Sequence, residues 1–222
     1  GAVGGGGAIG AVGTGAAASN HSQPLPELQY HWPDGESGAG KTRFTIQEFI
    51  INYTAGMPVL GRATVKGCKI LYISLDRASE AFKDLLWQMS VPENAFEWRC
   101  IDSGEWTGGN LVPLQQMVTK HQSQVIIIDG IEMMPPCASP SGLPNSREVA
   151  SFLREMNHWA ALKGLVVIGI TQGAKARGNT SVKGERHTAY GNVYWGARTE
   201  TMITISCTKN DRERLVRVKP HR

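Results

Sequence analysis

From Pro24 onward, apolar segments of strand length alternate with segments of helical period. This alternation predicts an α/β domain with a mostly parallel central sheet flanked by helices. Two β-like segments at the end of the chain add a C-terminal β-hairpin. The third observation is the run GESGAGKT at 35–42, whose spacing G-x-x-x-x-G-K-[ST] sets a glycine-rich turn at the mouth of a helix.

The elements follow in order. Residues 1–23 are mostly Gly, Ala and Ser, with no apolar face to bury, so a flexible tail or linker is expected there. It would either tether a preceding domain or be an artefact of expression, and the folded domain is expected over 24–222. LQYHW (28–32) reads as a short strand entering the glycine-rich turn, although it is less apolar than buried central strands normally are. RFTIQEFIINY has helical spacing, so a helix is expected from about Thr42 to Ala55, stopped by Gly56 and Pro58. KILYISLD (69–76) is a strong strand, ASEAFKDLLWQMS (78–90) a helix ended before Pro92, and FEWRCID (96–102) another strand.

LVPLQQMVTKH (111–121) is helical, with Pro113 in the first turn, where its missing N–H costs little. QVIIID (124–129) is the clearest buried strand. The stretch PPCASPSGLPNS (135–146) predicts a long surface loop. REVASFLREMNHWAALK (147–163) is an amphipathic helix and GLVVIGITQ (164–172) a further central strand. A polar, basic, glycine-rich loop is expected over 173–192, then the hairpin of TMITISCT (201–208) and RLVRVKP (214–220) around KNDRE.

At 222 residues the chain fits one domain large enough to bury a substantial core. No apolar run approaches the roughly 20 residues that span a bilayer, so no membrane partner is expected. There is no charged-then-apolar leader, and the first residue is Gly rather than Met, which suggests a processed or engineered chain. Cysteines at 68, 100, 137 and 207 form no C-x-x-C pair, which argues against zinc or a disulfide framework and fits a reducing cytosol. The six histidines are equally scattered. Residues 1–174 hold 12 Lys/Arg against 15 Asp/Glu, a net of −3, whereas 175–222 hold 11 against 4, a net of +7. A basic end of this kind suits a nucleic-acid surface, a subunit contact that meets phosphates, or a solvated tail.

The chemistry of the 35–42 run explains its spacing. Glycines at Gly35, Gly38 and Gly40, with Glu36, Ser37 and Ala39 between them, let successive backbone N–H groups curl around phosphate oxygens. Lys41 supplies a mobile positive charge for the β- and γ-phosphates, and the Thr42 hydroxyl can ligate Mg²⁺. The following helix turns its N-terminal dipole toward the same phosphates. The bland reading is a Gly-rich turn with an exposed lysine.

Three later residues fall at strand ends. Asp129 closes QVIIID, where its carboxylate would sit beside Mg²⁺, directly or through water; Asp129-Gly130 also reads as an ordinary turn. Asp76 closes YISLD and could polarise the water that attacks a γ-phosphate, or instead cap the helix starting near Ala78. Glu80 is a weaker substitute. Gln172, with Thr171 as an alternative, could hydrogen-bond the γ-phosphate and report hydrolysis to the loop beyond, or simply begin that loop.

This order of phosphate loop, two acid-ended strands, Gln-ended strand and basic loop resembles the RecA-like P-loop ATPase core. Within it, the ILYISL-acid segment is similar to the RepA-like replicative helicase branch, a type of AAA ATPase domain. The resemblance spans roughly 27–222 and is specific at 35–42, 71–76 and 125–129. It implies ATP and Mg²⁺ as cofactors, a homo-oligomeric ring (often a hexamer) and ATP bound between neighbours. A basic residue of one subunit would reach the next subunit's γ-phosphate; Arg186 and Arg198 are the options here. The family generally has Glu where this chain has Asp76, and RepA-like proteins often have His where Gln172 stands.

In such rings the loops after the Asp strand and the sensor strand touch DNA. Here these are 135–146, which has almost no positive charge, and 173–192, where Lys175, Arg177, Lys183, Arg186 and His187 interleave with glycines. The second suits a phosphate backbone tracked without base reading, with Tyr190 available for stacking. The expected function is therefore a helicase-type ATPase motor acting on single-stranded nucleic acid in replication or recombination. The alternative is a nucleotide-switched ring that recruits partners without moving a strand. A kinase is disfavoured because no arginine-rich acceptor lid is evident.

Overall fold

The computed structural model describes residues 7–12, 28–31, 40–63, 67–101, 110–134, 146–172, 201–207 and 213–220. The strands are β1 (Gly7–Val12), β2 (Leu28–His31), β3 (Ile70–Ser74), β4 (Glu97–Cys100), β5 (Val125–Asp129), β6 (Val166–Gln172), β7 (Thr201–Cys207) and β8 (Glu213–Pro220). The α-helices are α1 (Lys41–Ile46), α2 (Ser79–Gln88), α3 (Val112–His121) and α4 (Ser146–Lys163). All eight strands join one sheet in the order β2-β8-β7-β1-β6-β5-β3-β4. β4, β3, β5 and β6 are parallel to one another, giving a four-stranded parallel half flanked by helices, an α/β arrangement.

Alternation along the parallel strands divides the core into two layers. Leu71, Ile73, Ile126, Ile128 and Val167 face α3 and α4, packing with Leu114, Val118, Leu153 and Met156. Ile70, Tyr72, Ile127, Ile168 and Ile170 face the other way, onto Phe44, Ile50, Phe82 and Leu86 from the α1 and α2 side. Because β3 and β5 are covered on both faces, their burial is nearly continuous. Each such side chain contributes about 1.5–3 kcal/mol by leaving water.

The helix expected after the glycine run is present but not uniformly α. Beyond α1, Gln47–Asn52 widens into a π-helical turn. Gln47 donates to Asn52 Oδ1 at 3.1 Å, a pairing five residues apart, and Asn52 donates to Glu48 Oε1 at 3.0 Å. The buried Glu48 also accepts the Leu60 amide at 2.9 Å, so the wide turn anchors the loop that follows. The expected hairpin is formed by β7 and β8, in register from Thr201 with Pro220 to Cys207 with Arg214.

One expectation for the N-terminal part needs correction. Gly7–Val12 falls within the segment expected to be a tail, yet it forms β1, inserted antiparallel between β6 and β7. A strand can be held by backbone hydrogen bonds on both sides whatever its side chains, so a Gly/Ala run carries no periodic signal of it. The strand read at 28–32 forms as Leu28–His31, at the sheet edge against β8. Its polar composition suits an edge, where only one side is paired.

Candidate functional site

The parallel half places its own crevice. From β3 the chain crosses by α2 to β4 on one side, then returns by α3 to β5 on the other side of β3 and continues by α4 to β6. Strand order therefore reverses between β3 and β5. In open parallel sheets, ligands bind outside the carboxyl ends of the strands at such a reversal. Ser74 and Asp129, the last residues of β3 and β5, are register partners at this point, and Asp129 also pairs with Ile170 of β6.

Asp129 is the hub. It is 3% exposed, and its Oδ2 accepts the Thr42 hydroxyl at 2.8 Å and the Tyr72 phenol at 2.7 Å. The turn beyond it needs a residue at positive φ, and Gly130 supplies φ +82°. A Cβ at Gly130 would stand 3.4 Å from Asp76 Cβ, which shows how closely the two strand ends approach. Burial, and then the negative charge of Asp76, raise the Asp129 carboxyl from an ordinary 3.8 to about 6; the Tyr72 and Thr42 hydrogen bonds and Arg77 oppose the rise.

Gly40 precedes α1 in the left-handed region at φ +72°, and Lys41 is the first residue of the helix. The buried Thr42 lies one residue further on, against Asp129. Asp76 is exposed and accepts from Ser74 Oγ at 3.3 Å. It does not cap α2, whose cap position is Ala78 with no side-chain hydrogen bond. Glu80 is exposed and tied to Lys83 at 3.1 Å. Gln172 is the last residue of β6, two positions past the Asp129 partner Ile170, and Thr171 before it is buried.

The structure thus brings Thr42, Asp76 and Asp129 together at one sheet edge, with Lys41 adjoining. Gly35, Glu36, Ser37, Gly38 and Ala39 lie outside the described residues, as do Lys175, Arg177, Lys183, Arg186, His187, Tyr190 and Arg198. The 135–146 loop is undescribed except for Ser146, which begins α4. Among the described residues no helix is long and apolar enough to cross a membrane.

Tyr72, Arg77 and Ser74 were not singled out from the sequence. The available signal was the pair of hydroxyl residues in the run ILYIS, Tyr72 and Ser74, which strand alternation sets on the same face as Ile127 and Asp129. No family model matches the chain, and no curated protein is significantly similar to it.

Proposed function

We propose that the chain is a RecA-like ATPase domain of the RepA-like helicase type, binding Mg²⁺–ATP at the carboxyl edge of its parallel strands and acting on single-stranded DNA. The observation that carries this reading is the 2.8 Å hydrogen bond from Thr42 to Asp129, which joins residues 87 apart in sequence. It links the hydroxyl end of the G-x-x-x-x-G-K-T run to the acid-ended strand, at the place where the sheet reverses its order. A glycine-rich turn with a surface lysine would give no reason for that pairing.

The donor set fits a small hard cation. Mg²⁺ is commonly held by one or two carboxylates together with hydroxyl, water and phosphate oxygens. Thr42 and Asp129 supply a hydroxyl and a carboxylate, with the Asp76 carboxylate near. Thr42 and Asp129 would hold the ion, which would supply positive charge against the triphosphate. Lys41 would add a second positive charge for the phosphates, and a glycine-rich run such as Gly35 to Gly40 would offer them backbone N–H donors. Asp76, exposed beside the buried pair, is the group to orient and deprotonate an attacking water. Its side chain is one methylene shorter than the family's glutamate, which bears on turnover more than on nucleotide binding. Gln172 ends the neighbouring strand and leads into the basic loop, a position suited to passing the γ-phosphate state onward.

The work performed would be movement along a strand. Loop 173–192 supplies Lys175, Arg177 and Lys183 for phosphate contacts, and Arg186 or Arg198 the finger that completes the site of a neighbouring subunit in a ring. The test is the ATPase rate of the purified protein with and without single-stranded DNA, alongside its mass in solution and with Lys41→Ala as the blank. Hydrolysis that Lys41→Ala abolishes and single strands stimulate is the expected result. Turnover unaffected by Lys41→Ala would overturn the site assignment. Lys41-dependent turnover indifferent to DNA, in a ring-sized particle, would favour the nucleotide-switched assembly instead.

A further inference from the structure

We infer that Tyr72 is a positioning residue for the Asp129 carboxylate, an inference that rests on the Mg²⁺–ATP reading above. Tyr72 lies mid-strand in β3 and is fully buried. Its neighbours on that face, Ile70, Ile127, Ile168 and Phe82, are apolar. A phenylalanine would satisfy such packing, and a buried hydroxyl there is costly unless it is hydrogen-bonded. The hydroxyl's acceptor is Asp129 Oδ2, at 2.7 Å.

Thr42 donates to that same oxygen at 2.8 Å. Among the described residues, Oδ1 receives no hydrogen bond, so both donors converge on one oxygen and leave the other available. A single donor is a pivot about which a carboxylate can swing, and Thr42 belongs to a segment that must also accommodate a nucleotide. Tyr72 supplies the second, fixed point. Its ring is stacked on Phe82 with centroids 4.8 Å apart and meets Phe96 edge-on at 6.2 Å, so the hydroxyl rides on an arm with little freedom. Locking a functional side chain through the packing of its supporting residue is how a site holds its geometry between turnovers.

The experiment titrates Mg²⁺ at fixed ATP for the wild type, Tyr72→Phe and Phe82→Leu, reading hydrolysis, with ATP binding in EDTA and circular dichroism in parallel. Tyr72→Phe should raise the half-maximal Mg²⁺ concentration about tenfold, the order expected for losing a hydrogen bond to a charged group. Its ATP binding in EDTA should stay unchanged. Phe82→Leu loosens the stack but keeps the hydroxyl; it should lower Tm and raise the Mg²⁺ requirement by less than Tyr72→Phe does. A wild type with no Mg²⁺-dependent turnover would remove the ATPase reading and this inference together. A wild type that needs Mg²⁺, with Tyr72→Phe needing no more of it, would overturn the inference alone. An unfolded Tyr72→Phe, or an equal Mg²⁺ shift in Phe82→Leu, would reduce Tyr72 to a structural bond.

Discussion

Asp129 is held ionisable near pH 6 by burial and by Asp76, against 3.8 in an unfolded chain. The folded state therefore binds a proton more tightly than the unfolded state. Between about pH 4 and 6 this group makes stability fall as pH rises, and above pH 6 the whole cost persists. With about 1.4 kcal/mol per unit, that cost is about 3 kcal/mol in the absence of metal. Asp129→Asn removes the charge and keeps a carbonyl that can accept from Thr42 and Tyr72. In EDTA at pH 7 the variant should be more stable than the wild type by about 2–3 kcal/mol. The advantage should shrink as pH falls toward 4. Urea unfolding of both proteins at pH 7 and pH 4.5 measures this, and a gap that does not change with pH would refute the electrostatic account. The candidate acids were legible because Asp129 ends the β-branched run VIIID and Asp76 follows the apolar run ILYIS by two residues. Tyr72 was not, since the partner of a buried hydroxyl depends on register between strands, and nothing in ILYIS specifies the register with QVIIID.

At the scale of elements, the turn after Asp129 is set by how closely it can lie on β6. A Cβ at Gly169 would come within 2.8 Å of Ile131 Cδ1 and 3.2 Å of its Cγ2. Ile131 is buried in the short 3₁₀ turn Ile131–Met133 that follows Gly130. Gly169→Ala should therefore destabilise the protein by about 1–3 kcal/mol through overpacking. Ile131→Val, which removes the nearest atom, should recover part of that loss in the double variant. Additive effects in the denaturation cycle would mean that the two residues are not in conflict. Most elements were legible, from β3 to β8, because hydrophobic period and Gly/Pro punctuation agree there. Helix α1 was legible as a helix, but its π-helical continuation was not, since that depends on Glu48 reaching Leu60 across a loop. β1 was illegible for the opposite reason: Gly7–Val12 is paired by backbone along both edges, and backbone is common to every sequence. LQYHW signalled its own edge position through its polarity.

At the scale of the whole molecule, charge divides along the chain. The net −3 of residues 1–174 belongs to the stretch that supplies β1 to β6 and Asp129, and the net +7 of 175–222 to the stretch that supplies the β7–β8 hairpin and the basic run at 173–192. Were this a solvated tail, its positive charge would affect solubility and little else. If it tracks a strand, each lysine or arginine set on a phosphate releases counterions, and the logarithm of affinity falls by about 0.7 per contact per decade of salt. Replacing Lys175, Arg177 and Lys183 together with alanine should therefore flatten the salt slope for an oligothymidine by about 2 units and weaken binding at low salt. ATP affinity should not move, because none of the three lies in the 35–42 run or on the strands that carry Asp76 and Asp129. Fluorescence anisotropy from 50 to 300 mM salt, roughly the range over which such contacts are screened, separates the cases. A triple variant with an unchanged slope would move the strand contact away from 173–192, whereas loss of ATP binding as well would mean that the loop belongs to the nucleotide site.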